Sequence, residues 1–429
     1  MTDITAGNVP IAASVEPSPS ARWALASLSL AMLLSSLGTS VANVALPTLA
    51  EVFTASFQQV QWVVIAYLLA ITTLIVGAGR LGDIVGRRRL LLAGIGLFTA
   101  ASVACGAAPT LWLLIGARAA QGAGAAIMMA LTMAFVGETV SKDKTGSAMG
   151  LLGTMSAVGT ALGPSLGGIL IAGLGWRAIF LINVPLGALA LVLAYRSLPR
   201  DSRGTEAKAE TSFALLAMFR NPALNAGLAT SALVSTVMMA TLVVGPFYLS
   251  YALGLNAAAV GMIVSVGPVV VALSGVPAGR MADRFGAQRM TVAGLIGVAA
   301  GSVAFSMTPI SLGVPGYVAA IVIVTAGYAL FQTANNTVVM TDIPPERRGV
   351  TSGMLNLSRN LGLIAGASVM GVVFAAASGT ADFAAARPEA VATGMRVTFA
   401  VAAVLMAGAL GIAAVSRRLT MRRLLRVSQ

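Results

Sequence analysis

Histidine is absent from the 429 residues, and cysteine occurs once, at Cys105. The first absence removes imidazole as metal ligand, catalytic base or proton switch. The second excludes an intramolecular disulfide, and Cys105 sits in an apolar run where packing is its default role. Charge is scarce as well: Asp, Glu, Lys and Arg make up 10% of the chain, against roughly 25% in soluble domains, and 57% is hydrophobic. The Gly-x-Ser-x-Gly pattern at Gly163 to Gly167 lies inside an apolar run rather than at a strand-to-helix turn, and no histidine exists to activate its serine, so it is not a nucleophile elbow. The glycine-rich GAGAA from Gly122 lacks the Lys-Ser/Thr ending of a phosphate loop, so the sequence offers no carrier for enzymatic chemistry and implies no cofactor.

What is present is a series of apolar runs, each long enough to cross a bilayer as about 20 helical residues. They are continuous rather than alternating, which selects helices over a barrel. Twelve are predicted: 23–46, 60–81, 90–107, 110–136, 147–172, 176–196, 223–250, 257–280, 290–309, 315–340, 349–377 and 393–416. An even number places both termini on one side. Of the 27 Lys and Arg, only Arg387 and Arg396 fall on the opposite side, while Arg118, Arg177 and Arg359 lie in or beside spans. The positive-inside rule makes the crowded side cytoplasmic, in the plasma membrane of a bacterium. It also accounts for the net charge of +13 without nucleic acid, because the basic residues are scattered among spans. Residues 1–21 carry Asp3 and Glu16 and no basic region, which argues against a cleaved secretory signal.

Two segments repeat. GRLGDIVGRRR, Gly79 to Arg89, follows the second span, and GRMADRFGAQR, Gly279 to Arg289, follows the eighth. Between the halves lies the polar stretch RDSRGTEAKAETS, Arg200 to Ser212. The expectation is an all-α membrane protein with twelve transmembrane helices in two pseudo-symmetric six-helix bundles. Residues 1–22 form a tail, 23–196 and 223–416 the bundles, 197–222 a cytoplasmic linker and 417–429 a basic tail. Repeats of this kind place a substrate path at their interface and rock one half against the other.

Several residues invite a chemical reading. Gly79 and Gly82 permit close helix contact and Gly86 a left-handed turn. Asp83 gains nothing from the positive-inside rule but can stabilise the positive end of a helix, by about 0.3 to 1 kcal/mol. In GTALGPSLGGIL, Gly159, Gly163 and Gly167 form a smooth stripe, followed by Gly168, and Pro164 crowds the carbonyl of Thr160 so as to bend the helix. Arg118 lies well inside the fourth span, where an unpaired guanidinium costs about 2.5 to 3.5 kcal/mol. Gln121 and Gly122 share its face; Arg359, flanked by Asn356 and Asn360, makes a comparable face in the eleventh span. Each arginine has two readings, a substrate or coupling group and a tie between helices. Ser36, Ser40 and Asn43 in the first helix, and Tyr328, Gln332, Asn335 and Asn336 in the tenth, have helical spacing that can line a cavity or serve ordinary interhelix bonding. None of the 14 acidic residues lies deep in a span.

The segment from Gly79 to Arg89 resembles the loop signature of the major facilitator superfamily. The stretch with Gly163-Pro164 and Gly167-Gly168 resembles that superfamily's antiporter signature, associated with exporters. QWVVIAYLLA (from Gln61), LLIGARAAQGAGAA (from Leu113), WRAIFLINVPLG (from Trp176) and NVALP (from Asn43) are similar to the drug:proton antiporters, although that branch is often built with fourteen helices and the interval from Pro199 to Asn221 has no room for another pair. The resemblance implies that Asp83 engages the start of the eleventh helix near Val350, that Arg87 joins a charge cluster with Glu138, and that Asp283 is the counterpart in the second half, where Ala287 and Gln288 replace arginines. It also implies an aspartate shortly before NVALP, where this chain has Gly38.

The expected function is export of small amphipathic drugs or toxic compounds by alternating access. Its partners are a small-molecule substrate and the lipid bilayer, with the chain acting as a monomer and a proton gradient as energy source. A path with Arg118 and Arg359 and no carboxylate disfavours organic cations, leaving neutral or anionic substrates. Export of a sugar or other polar metabolite is the alternative, opposed by the sparse polar lining; a channel or a non-transporting sensor is a third class, separated from a carrier by saturable flux.

Overall fold

The computed structural model describes residues 19–139, 145–199, 222–341, 343, 348–380, 383 and 385–427. Residues 1–18 and most of the expected linker lie outside them. The described residues contain twelve helices long and apolar enough to cross a membrane: α1 (Arg22–Val52), α2 (Phe57–Val85), α3 (Arg87–Ala107), α4 (Leu111–Val136), α5 (Ala148–Leu174), α6 (Ala178–Ser197), α7 (Leu224–Ala252), α8 (Ala257–Phe285), α9 (Ala287–Met307), α10 (Ile310–Thr341), α11 (Thr351–Ser378) and α12 (Pro388–Arg417). The order and number follow the apolar runs. Several ends overrun them because capping, rather than hydropathy, sets where a helix starts. Ser56 and Gln59 form a capping box at α2, with Gln59 N to Ser56 Oγ 3.3 Å and Ser56 N to Gln59 Oε1 2.9 Å. At the equivalent place in the second half Asn256 caps α8, accepting from Ala259 N at 2.9 Å.

The repeat is close in backbone terms. Both α2 and α8 have 29 residues and both α3 and α9 have 21. The repeated motif differs from the expected loop: its first seven residues are the last turns of α2 and α8, and one glycine makes the whole connection. Gly86 has φ 105° and Gly286 φ 89°, and each donates its N–H to the carbonyl four residues earlier, Gly82 or Ala282, at 3.0 Å. Such a φ admits no side chain without strain, which explains why both copies keep glycine at this position. A second difference lies at the C-terminus. The segment expected as a basic tail continues the last helix, which runs to Val427.

The apolar core is asymmetric along the spans. One end of the bundle carries both described chain ends, residues 19 and 427; it is called the termini face, and the other the far face. Towards the far face a single core crosses both halves, joining Val44, Leu49, Phe57 and Phe180 to Val243, Phe247, Val260, Phe374 and Phe399. Towards the termini face the cores are separate: Leu28, Met128, Phe135 and Leu198 belong to one cluster in the first half, and Leu224, Val339 and Leu355 to another in the second. Glycines on the interfacial helices obey the same division. On α5 and α8, a Cβ at Gly168 would collide with the Ala257 carbonyl and one at Gly261 with the Pro164 carbonyl, whereas Gly79, Gly153, Gly275 and Gly353 nearer the termini face have open space beside them.

Gly86→Ala and Gly286→Ala should each lower stability by about 1 to 3 kcal/mol through backbone strain alone. Gly275→Ala, in a helix with space for the methyl group, should leave the thermal unfolding midpoint of the detergent-solubilised protein unchanged or raised. Equal midpoints for all three variants would show that the turns carry no strain.

Candidate transport pathway

Arg118 is fully buried, and its geometry assigns it to architecture. Its Nε donates to Val63 O at 3.0 Å, its Nη2 to Gly38 O at 3.0 Å and its Nη1 to Gln121 Oε1 at 2.5 Å. Gln121 Nε2 in turn donates to Ser102 Oγ at 2.7 Å. The guanidinium carbon lies 4.1 Å from the centroid of Tyr67, whose hydroxyl donates to Ser35 O at 2.8 Å. One side chain thus ties α1, α2, α3 and α4 together. Of the two readings of Arg118, a substrate or coupling group and a tie between helices, these bonds support the second, and Gln121 shares it.

This arrangement also accounts for Gly38. A Cβ there would stand 2.9 Å from the Tyr67 hydroxyl and 3.3 Å from the Phe98 ring, so no acidic side chain fits. Backbone carbonyl dipoles of Gly38 and Val63 supply the negative ends that a carboxylate would otherwise provide.

Other candidates are committed in the same way. Ser36 Oγ shares a 2.7 Å bond with Ser156 Oγ, and Ser40 Oγ donates to Gly159 O at 3.1 Å, binding α1 to α5. The α5 glycines make that approach possible: Gly159 lies against Leu33 O, Gly163 against Ser40 and Gly167 against Val41 and Val44, while Gly168 and the Pro164 carbonyl face α8 instead. Asn335 Nδ2 donates to Gly227 O at 3.2 Å, fastening α10 to α7. Asn43 is buried, with Nδ2 donating to Thr39 O and Ser40 O at 3.2 and 3.3 Å, while its Oδ1 has no partner among the described residues. Tyr328, Gln332 and Arg359 differ: each is only partly buried, and none has a polar partner among the described residues.

In the gating motif, Asp83 accepts from Arg87, Nη2 at 2.8 Å and Nε at 2.9 Å, an i,i+4 pair across the Gly86 turn. It has no other polar partner among the described residues, and Gly79 lies open. The side chains of Val350 and Glu138 lie outside the described residues. Asp283 is exposed and lacks the equivalent pair, since position 287 is alanine. Arg88 Nη2 donates to Tyr195 O at 2.6 Å, joining α3 to α6.

Two latches at the far face were not read from the sequence. Gln61 Nε2 on α2 donates to Ala367 O on α11 at 2.7 Å. Ala367 lies in the π turn Gly366–Met370, where the regular bonding of α11 is interrupted, and Gly371 leaves the room that the Gln61 amide occupies. Tyr251 Oη at the end of α7 donates to Glu51 Oε1 at 3.0 Å and to Pro47 O at 3.3 Å, joining it to α1. Around them Phe57 packs on Phe247, Phe374 and Phe383, with ring centroids 4.6, 5.2 and 5.3 Å away. A glutamine in an apolar span was the available signal; its partner, a carbonyl 306 residues away, has no mark in sequence.

These contacts join the two six-helix halves of a membrane protein at the far face. Residues 28–367 match the Major Facilitator Superfamily, and the chain belongs to it. It is therefore a transporter and not an enzyme. It is 28% identical over 390 residues to the riboflavin transporter RibZ of Clostridioides difficile strain 630, covering 80% of this chain and 86% of that one. It is 29% identical over 398 residues to the multidrug resistance protein Stp of Mycobacterium tuberculosis CDC 1551 / Oshkosh, covering 78% and 72%. Among solved structures it resembles a bacterial homologue of the human lysosomal transporter Spinster, in an inward-facing and unoccupied conformation, with TM-score 0.79, 18% identity, and 95% and 99% of the two chains covered.

Arg118→Gln should cost about 3 kcal/mol or more of stability, because it removes charge-assisted bonds to buried carbonyls. It should depress transport of all substrates in parallel; a change of substrate preference at unaltered thermal stability would restore Arg118 to the pathway. For the far-face seal, Gln61→Leu should raise the population opened at that face about fivefold, the equivalent of one modest hydrogen bond. The readout is labelling of Val44→Cys, on a Cys105→Ser background, by an impermeant thiol reagent applied from that face. An unchanged rate would remove the Gln61 bond from the seal.

Proposed function

We propose that this protein is a secondary active exporter of small amphipathic molecules, neutral or anionic, working by alternating access as a monomer in a bacterial inner membrane. Its termini are cytoplasmic by the positive-inside rule, so the state described above opens inward. The observation that carries the reading is the asymmetry of the core: one cluster spans both halves at the far face, and two separate clusters lie towards the termini face. A carrier needs its alternative seals to be close in energy, and two hydrogen bonds with an aromatic patch are a seal of that modest kind. The glycine stripe of α5 and the similarity to the multidrug resistance protein Stp support drug or toxic-compound efflux. Similarity to the riboflavin transporter RibZ favours a second reading, carriage of a polar aromatic metabolite.

Proton coupling is part of the proposal, although among the described residues the carboxylates Glu51, Asp83, Asp283 and Glu389 lie at span ends. In proteoliposomes with an imposed pH gradient, neutral and anionic amphipaths should move saturably and cationic ones poorly. Flux indifferent to the gradient would end the coupling proposal, and non-saturable flux would replace the carrier with a channel.

A further inference from the structure

Both latches at the far face end on π turns. Ala367 O, which accepts from Gln61, lies in the turn Gly366–Met370 of α11. Tyr251, which donates to Glu51 and Pro47, lies in the turn Tyr248–Ala252 that closes α7. A π turn holds one residue more than an α turn, and the main-chain bonds show the surplus. In α7 the Leu253 N–H donates to Tyr248 O, five residues earlier, at 3.2 Å. In α11 the Gly371 N–H, which an α-helix would direct to Ala367 O, donates to Ser368 O instead. The carbonyl it has left is the one that Gln61 takes.

The surplus residue sets which way the end of α11 faces. In an unbroken helix Ala376 would stand about 100° round from Leu357; with one residue set aside, the two share a face. Both are exposed, as are Leu361 and Val372 on the same side. The opposite side of the segment Gly371–Ser378 carries what closes the seam. Gly371 lies beside the Gln61 amide, and the Phe374 ring centroid is 5.2 Å from that of Phe57. Winding the π turn back to α would rotate this segment by about 100° and break both contacts at once. Ala367 O would not be orphaned, because the Gly371 N–H returns to it as Gln61 leaves, so the acceptor is satisfied in either winding. Beyond the segment, Gly379 with φ 64° gives the chain a place to absorb the rotation.

Resting on the alternating-access reading, we propose that the far face opens by rewinding of the α11 π turn into α-helix, which turns the segment Gly371–Ser378 out of the seam between α2 and α11. The gate is then a change of winding inside one helix, added to any tilt of the bundles. Gln61 acts as its catch: while it holds Ala367 O, the helix's own amide is kept off that carbonyl and the surplus residue stays in place.

Two pairs of spin labels, each on a Cys105→Ser background in proteoliposomes, separate the motions. Trp112→Cys with Leu312→Cys, both exposed and at the far-face starts of α4 and α10, reports opening between the bundles. Leu357→Cys with Ala376→Cys lies within α11 and is blind to any rigid tilt. Distances by electron–electron resonance are compared with and without Gln61→Leu/Tyr251→Phe, which removes both latches. The latchless protein should gain a longer inter-bundle distance and, in matching proportion, a second intrahelical distance about 4 Å longer than the first, from a rotation of about 100° and one more residue of rise. Deleting Ser368 removes the surplus residue and keeps the faces of α11, so it should abolish the second intrahelical distance. A longer inter-bundle distance with a single, unchanged intrahelical one would overturn the rewinding and leave alternating access standing; so would a second intrahelical distance that survives the deletion. An inter-bundle distance that stays single in every variant would count against alternating access itself and take the rewinding with it.

Discussion

A polar group inside a bilayer has no water to bond to, so each must find its partner in the protein or in what the protein carries. The first bundle meets this demand internally at its most costly group, a buried guanidinium. Arg118 gathers two backbone carbonyls, a glutamine and an aromatic face, and through them holds four helices in one arrangement. Such a node suits a part that must move as a rigid body. In the second bundle the buried hydroxyls of Tyr248 and Tyr317 have no partner among the described residues.

Glycine makes the rest possible at two scales. Within the first bundle, the α5 stripe brings two backbones close enough for serine hydroxyls to bridge them. Between bundles, Gly168 and Gly261 bring α5 and α8 backbone to backbone near the far face. Close backbone approach gives many small dispersion contacts with no side chain between the two helices, which is the line about which the proposed alternation would tilt the halves.

The spans and the twofold plan were legible because both rest on composition: apolar runs mark helices, and GR…D…G…R recurs in each half. The turn at Gly86 was legible for the same reason, since only glycine tolerates its φ. The role of Arg118 was legible only as a pair of alternatives. Its partners are mostly carbonyl oxygens, which every residue possesses and no residue type announces. The far-face latches were hidden more completely, for Gln61 and Tyr251 meet groups 306 and 200 residues away whose proximity only the packing of the halves creates. The absence of a side chain at Gly38 was visible in sequence, but its reason, the hydroxyl of Tyr67 standing where a Cβ would go, was not.

The π turn at Gly366–Met370 inserts one residue into a turn of α11, which rotates the parts of the helix on either side of it by about 100° relative to an unbroken helix. Arg359 stands before the insertion; the Ala367 carbonyl that holds Gln61 lies inside it. A single shaft with an offset in its winding therefore bears a half-buried charge on one segment and the bolt of the opposite door on the next.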